Sequence, residues 1–246
     1  MEKHYCIVLR STDYKDYDKI LALFSRSHGR IDAQARGARR MKSEFAAPSQ
    51  PLACGEFEFY KKGEKLFLTN AEVRQEFYHI TGDYDLFAAA CVMLELTEKL
   101  LQNADEYEEL FLTLIYALYA MEQKELDGFS SLAYFFARIV DFSGIFPVIG
   151  ECASCGAKTT GEMAAFSFSE GGEICEACRR YVRAVPVRRA VLEVLRQLRA
   201  VSYKNVNEIK LELKDAKDCV MLMNRYLQEM LDLKLKTTKF LGENLL

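Results

Sequence analysis

The chain has 246 residues, half of them hydrophobic, and a net charge of −3. That is enough apolar material to bury a sizeable core, in one large domain or in two to three small ones. The longest apolar run, Phe111 to Met121, is far short of the ~20 residues a membrane-spanning helix needs, so a buried helix is predicted there instead. The charge is unevenly spread. Residues 1–80 carry 14 Lys+Arg against 11 Asp+Glu, residues 81–150 carry 3 against 12, and residues 151–246 carry 16 against 13. A basic–acidic–basic order leaves room for a polyanion site inside an acidic total.

Residues 1–80 read as β-rich. Tyr5–Arg10 is a short apolar strand and Ser11–Asp18 a polar turn. Lys19–Ser25 is a second strand, and Ser27-His-Gly-Arg a hairpin turn in which Gly29 can supply positive φ. Ile31–Ala38 alternates as a third strand, Pro48 and Pro51 mark a loop, Leu52–Tyr60 is a fourth strand and Leu66–Thr69 a fifth. Five short strands joined by turns predict a small closed barrel, for which an OB-fold is the obvious candidate.

From Asp83 the period becomes helical, with Leu86, Ala89, Ala90, Met93, Leu94, Leu100 and Leu101 three and four residues apart. Asn103 is expected to cap a second helix over Leu110–Met121, with Asp105 and Glu106 in its first turn, and Asp127 to cap a third through Val140. Two further helices are expected at Val187–Val201 and Asp215–Leu233. Arg138, in a very apolar helix, is expected to pair with Asp141.

Between the third and fourth of these helices stand Cys152, Cys155, Cys175 and Cys178, spaced C-x2-C-x19-C-x2-C. Two Cys-x-x-Cys hooks separated by a ribbon-length loop wrap four thiolates around one tetrahedral Zn2+. Gly156 suits the reversal after the first hook. Ala164–Ser169 reads as a strand and Glu170–Glu173 as a turn. Two disulfides are the rival reading. The start Met1-Glu-Lys-His-Tyr lacks the basic and apolar regions of a secretory signal, so a cytoplasmic, reducing setting is expected, which disfavours them. Cys6, Cys54, Cys91 and Cys219 read as small core residues. No ligand position is open, so the ion is expected to be structural rather than catalytic.

Three further features bear on function. Arg26, Arg30, Arg36, Arg39, Arg40 and Lys42 face a single nearby anion, Asp32. On a barrel this is the footprint of a phosphodiester-binding surface, with Tyr14, Tyr17 and Phe45 as candidate stacking rings, although charge alone fits a solvated loop equally well. After the second hook, Arg179, Arg180, Arg183, Arg188, Arg189, Arg196 and Arg199 face one anion, Glu193. Arginine-rich runs suit phosphate or carboxylate, but they also make ordinary polar helix faces. The acidic helical segment offers grooves that could accept a short apolar peptide. Phosphate-loop, dinucleotide and nucleophile-elbow motifs are missing. Asp13, Asp16 and Asp18, interleaved with Tyr and Lys, read as a polar turn rather than an oxygen-ligand cation site. The chain is therefore not expected to be an enzyme.

Several stretches together resemble one family. Asp13 to Ser25, His28-Gly-Arg, Ala35-Arg-Gly-Ala-Arg-Arg-Met-Lys-Ser and Glu56-Phe-Glu-Phe-Tyr are similar to the N-terminal signature of the RecO family. Phe142-Ser-Gly-Ile-Phe-Pro and Phe166-Ser-Phe-Ser-Glu-Gly-Gly-Glu-Ile-Cys are similar to its zinc segment. The resemblance implies an α+β chain: an N-terminal five-stranded OB-fold barrel (residues 1–80), then an all-helical domain (81–246) with an inserted four-cysteine zinc ribbon (150–181). It implies a mediator of DNA repair and recombination that binds single- and double-stranded DNA and anneals complementary strands. It also implies help in loading a RecA-type recombinase onto strands coated by single-strand-binding protein. Its implied partners are a RecR-type protein and the C-terminal tail of single-strand-binding protein, with no membrane, in the cytoplasm at the nucleoid. The DNA role falls on Arg36, Arg39, Arg40 and Lys42, within the matching motif, with Arg30 beside them. An RNA-binding or transcription-linked zinc-ribbon protein with an OB-fold is the alternative.

Overall fold

A computed structural model describes residues 2–101 and 107–242. The chain forms two compact units, Met1–Tyr84 with Met93–Ile115, and Asp85–Val92 with Tyr116–Leu246.

In the first unit, β1 (Glu2–Tyr14), β2 (Asp18–Ser25), β3 (Gly29–Ala35), β4 (Cys54–Lys62) and β5 (Lys65–Gln75) close into a barrel of order β1-β2-β3-β5-β4. This is the five-stranded OB-fold expected from the strand count. Inward-facing Val8, Leu21, Leu23, Phe57, Phe59 and Leu68 fill it, one from every second position, as the period of two requires. β1 is longer than its apolar stretch because it pairs twice. Glu2–Ile7 face β4, and Cys6–Tyr14 face β2, with the register shifting between Val8 and Arg10. The segment expected to turn over Ser11–Asp18 therefore turns only over Lys15–Tyr17, with Lys15 at φ 53°. Strand β5 likewise runs past Thr69 because β4 pairs with it as far as Gln75. Gly29 takes φ 68° at the β2–β3 hairpin, as predicted. Strand β3 stops at Ala35, where the chain enters a turn-rich segment reaching β4.

Helix α1 (Tyr78–Gly82), which the periodicity did not mark, follows the barrel. Helices α2 (Tyr84–Leu100) and α3 (Tyr107–Glu122) each run from one unit into the other. The expected cap at Asn103, with Asp105 and Glu106, lies outside the described residues. Within the first unit, Phe111 of α3 packs edge-on against Phe24 and Tyr5 of the barrel.

In the second unit, α4 (Gly128–Phe142) begins at Asp127 as expected. Its carboxylate accepts from the N–H groups of Phe129 and Ser130 and from the Ser130 hydroxyl. Helices α4, α5 (Arg189–Ala200) and α6 (Leu213–Leu231) pack on one another. Between α4 and α5 stands a three-stranded sheet: β6 (Met163–Ser167), β7 (Gly172–Ile174) and β8 (Val185–Arg188), in the order β7-β6-β8. The four-cysteine segment is thus inserted among packed helices. The helix expected from Val187 does not begin there, because Val187 and Arg188 belong to β8. Val185 precedes Pro186, which pushes it into extended backbone, and β6 supplies a ladder for it. Helix α5 accordingly starts at Arg189. Among the described residues no helix is long and apolar enough to cross a membrane.

Candidate metal centre and nucleic-acid interface

The two cysteine hooks meet. Sγ atoms of Cys152, Cys155, Cys175 and Cys178 all lie within 4.8 Å of one another. Cys155 Sγ and Cys175 Sγ are 3.7 Å apart, close to the edge of about 3.8 Å expected of a thiolate tetrahedron with 2.3 Å metal bonds. Backbone bonds shape the knuckles. Gly156 N donates to Cys152 O at 2.8 Å, with Gly156 at φ 74°, and Arg179 N donates to Cys175 O at 3.0 Å. Burial pushes the Cys152 thiol up, but N–H groups of Cys175, Cys155 and Ser154 outweigh it and bring the thiol down to about 6. Hydrogen bonding to Cys155 and Cys175 holds the Cys178 thiol up at about 12. A cluster in which one sulfur ionises readily and a neighbour resists is relieved by a cation that neutralises both, so the donor set fits a metal ion. Among the described residues this is the one group of three or more His, Cys, Asp or Glu whose ligand atoms converge. Asp13, Asp16 and Asp18 do not converge.

Glu173 supports the centre and went unrecognised in the sequence, where it read as part of a turn. Its side chain is 1% exposed. It accepts from Arg189 Nη1 at 2.9 and 3.0 Å, from Gly150 N at 3.0 Å and from the Thr159 hydroxyl. Its carbonyl accepts from Ala153 N at 2.7 Å, which ties the first knuckle to β7. One residue thus holds both the loop before the first hook and the loop after it.

On the barrel, Arg36, Arg39, Arg40 and Lys42 fall on one turn after β3. Asp18 anchors it, accepting from Gly37 N at 2.8 Å and from Gln34 Nε2 at 2.6 Å. Those bonds, the Gly37 one foremost, hold the Asp18 carboxyl below its ordinary range. Arg39 N donates to Tyr17 O at 2.9 Å, so this basic turn and the β1–β2 turn bearing Tyr14 and Tyr17 are tied together.

The five candidate cations differ in their partners. Arg30 is held by Asp32 at 2.9 Å and Glu98 at 3.3 Å, and Arg39 by Asp13 at 3.3 Å. Arg36 stacks on Phe67, 4.1 Å from the ring centroid, and Arg40 lies over Tyr17 at 5.4 Å. Arg36, Arg40 and Lys42 are exposed, and among the described residues none has a carboxylate within ion-pair distance. Tyr17 is 53% exposed, whereas Phe45 is half-buried and packs against the barrel core.

The arginines after the second hook are mostly committed. Arg188 pairs with Asp215 and Asp218, Arg189 with Glu173, Arg196 with Glu193, Arg199 with Asp141, and Arg179 more distantly with Glu176. Arg138 reaches Asp141 at 3.3 Å, as expected from its spacing.

Comparison with known proteins agrees with this arrangement. The family profile described as Recombination protein O N terminal matches residues 1–77, and that described as Recombination protein O C terminal matches residues 81–239. Relatives called DNA repair protein RecO include one from Alkaliphilus metalliredigens, 34% identical over 70% of this chain and 69% of its own length. One from Bacillus mycoides is 30% identical over 96% and 95%, and one from Desulforamulus reducens 29% identical over 96% and 91%. With both halves of the family matched in order over nearly the whole length, the chain belongs to the RecO family of DNA repair proteins.

Proposed function

We propose that this protein binds single- and double-stranded DNA through the turn after β3, anneals complementary strands, and assists a RecA-type recombinase onto strands coated by single-strand-binding protein. A RecR-type protein and the C-terminal tail of single-strand-binding protein are its proposed partners. One observation carries the reading: Arg36, Arg40 and Lys42 stand exposed on a turn tied to Tyr17 and, among the described residues, none of them has a carboxylate within ion-pair distance. Cations held in no ion pair are free to replace the counterions of a phosphate chain. Annealing asks for nothing more elaborate. Two like-charged strands are brought together by screening their charge, and no covalent bond is made or broken, so the proposed role is not enzymatic. Arg30 and Arg39 contribute less, since each must first give up an acid.

The ion proposed for the four cysteines is one Zn2+, whose preference for four thiolates in a tetrahedron matches the donor set. It would fix the two knuckles relative to each other. Without an open ligand position it would activate no water.

Fluorescence anisotropy with a labelled oligothymidylate tests the DNA reading. If three phosphates are neutralised, log affinity falls with log salt at a slope of about −2. Exchanging Arg40 and Lys42 for Glu is expected to weaken binding by an order of magnitude or more and to abolish annealing of complementary oligonucleotides. Unchanged affinity in that double variant rules out this turn as the site. Stronger binding of RNA than DNA of the same sequence moves the protein to the RNA-binding alternative.

A further inference from the structure

Of the seven arginines between positions 179 and 199, two lack an acid. Arg180 and Arg183 are exposed and, among the described residues, have no carboxylate within ion-pair distance. Tyr181 stands between them with 89% of its surface exposed, so its ring gains almost nothing from folding. All three sit on or just after the 3-10 turn Cys178–Arg180 that begins at a cysteine of the metal centre. The backbone there is fixed. Arg179 N donates to Cys175 O, and Tyr181 N and Val182 N both donate to Cys178 O, at 2.9 and 3.1 Å. The result is a rigid knuckle presenting a guanidinium, a bare aromatic ring and a second guanidinium within four residues. Folding uses none of these side chains.

We propose that this knuckle is a second contact for single-stranded nucleic acid, carried by the unit that holds the four cysteines. Arg180 and Arg183 bind phosphates, which the guanidinium fork does bidentately, and a base stacks on Tyr181. A single strand fits better than a duplex because only an unstacked base offers its face to a ring. The chemistry also explains why the ring is tolerated on the surface. Apolar area this exposed serves no core, and flanking positive charge repels basic partners while attracting polyanions. This contact is separate from the barrel turn and shares with the reading above only the premise that the chain binds nucleic acid.

The test uses the full chain, with metal content and thermal melting checked for each variant. Anisotropy with labelled oligothymidylate is measured against salt for R180Q/R183Q, Y181A and, in parallel, R40E/K42E. R180Q/R183Q is expected to weaken binding about five- to ten-fold and to make the salt slope shallower by about 1.4, two phosphates at about 0.7 each. Y181A is expected to weaken it about five-fold with the slope unchanged, because stacking releases no counterions. Unaltered affinity and slope in R180Q/R183Q, with R40E/K42E impaired, overturns the knuckle contact and leaves the barrel reading in place. The reverse pattern removes the barrel reading and keeps the knuckle. If neither double variant changes binding, both fall. A variant that loses its metal is replaced by the unaltered protein photo-crosslinked to an oligonucleotide bearing 5-iodouracil. An adduct on Tyr181 supports the contact, and adducts only outside residues 179–183 overturn it. If R180Q/R183Q keeps its DNA affinity but loses affinity for a polyglutamate peptide, the partner is an acidic polypeptide and the proposal fails.

Discussion

Replacing Glu173 by Gln removes the negative half of an ion pair that is enclosed on both sides, with the Glu173 side chain 1% exposed and Arg189 18% exposed. The amide is nearly the same shape, so no cavity forms, and the Thr159 hydroxyl can rotate to accept from the new N–H. What cannot be repaired is the charge, together with one of the two oxygens that accept from Arg189 Nη1. Arg189 keeps its guanidinium between Glu173 and the Gly161 carbonyl with no anion to balance it. Breaking an enclosed pair in this way costs about 3 kcal/mol, whereas the exposed Arg179–Glu176 pair, 3.8 Å apart, is worth well under 1. For a chain of this size about 3 kcal/mol lowers the melting temperature by roughly 6–12 °C. The knuckle loses an oriented support as well, so metal affinity should fall about ten-fold. Calorimetry at buffered metal concentration reads the first effect and competition with a chromogenic chelator reads the second. The double variant E173Q/R189Q discriminates causes. If the lost energy is the uncompensated charge, the double variant recovers much of it. A single-variant cost below about 1 kcal/mol, or a double variant whose cost is the sum of the singles, would refute the reasoning.

Other outcomes follow from the same geometry. Asp127→Ala removes the cap that satisfies Phe129 N and Ser130 N, and should cost about 1 kcal/mol in a urea titration, with Asp127→Asn near neutral. Asp18 has a folded-state pKa below its ordinary 3.8 because Gly37 N–H, then Gln34, bind the carboxylate. Its contribution is therefore complete above about 3.8 and disappears as pH falls through the lower folded value. The stability difference between the natural chain and Asp18→Asn, about 1 kcal/mol after solvent screening, should stay constant from pH 5 to 8 and shrink below 3.8. A difference that persists unchanged into strong acid contradicts this. Cys175→Ser should lower metal content and thermal stability together. Atomic emission finding a full equivalent of zinc in that variant would exclude Cys175 as a ligand.

How much of this was readable beforehand depended on whether the signal is local. The cysteine hooks, the Asp127 cap and the Gly29 hairpin are written in a few adjacent residues, and each forms where expected. The lengths of β1 and β5 were not, because their outer residues are strand only by virtue of a partner far along the chain. β8 was missed for a similar reason: Val185–Arg188 becomes strand by pairing with β6. The seven-arginine run looked uniform, yet Asp141, Asp215 and Asp218 claim members of it from other helices, a fact no window of sequence contains. Glu173 was hidden for the opposite reason, since a glutamate beside two glycines looks like a solvated turn until Arg189 closes over it.

The barrel's seams are unequal. Strands β1, β2, β4 and β5 are stitched by long antiparallel ladders, but β3 meets β5 in parallel through only Ala33↔Leu66 and Gln34↔Phe67. The cylinder should therefore behave as a curled sheet fastened by a small clasp, with the Arg36 guanidinium lying across Phe67 as its latch. Amides there should trade protons with water sooner than those of β1 or β4. Whatever draws the Arg36 guanidinium off Phe67 would strain that same fastening.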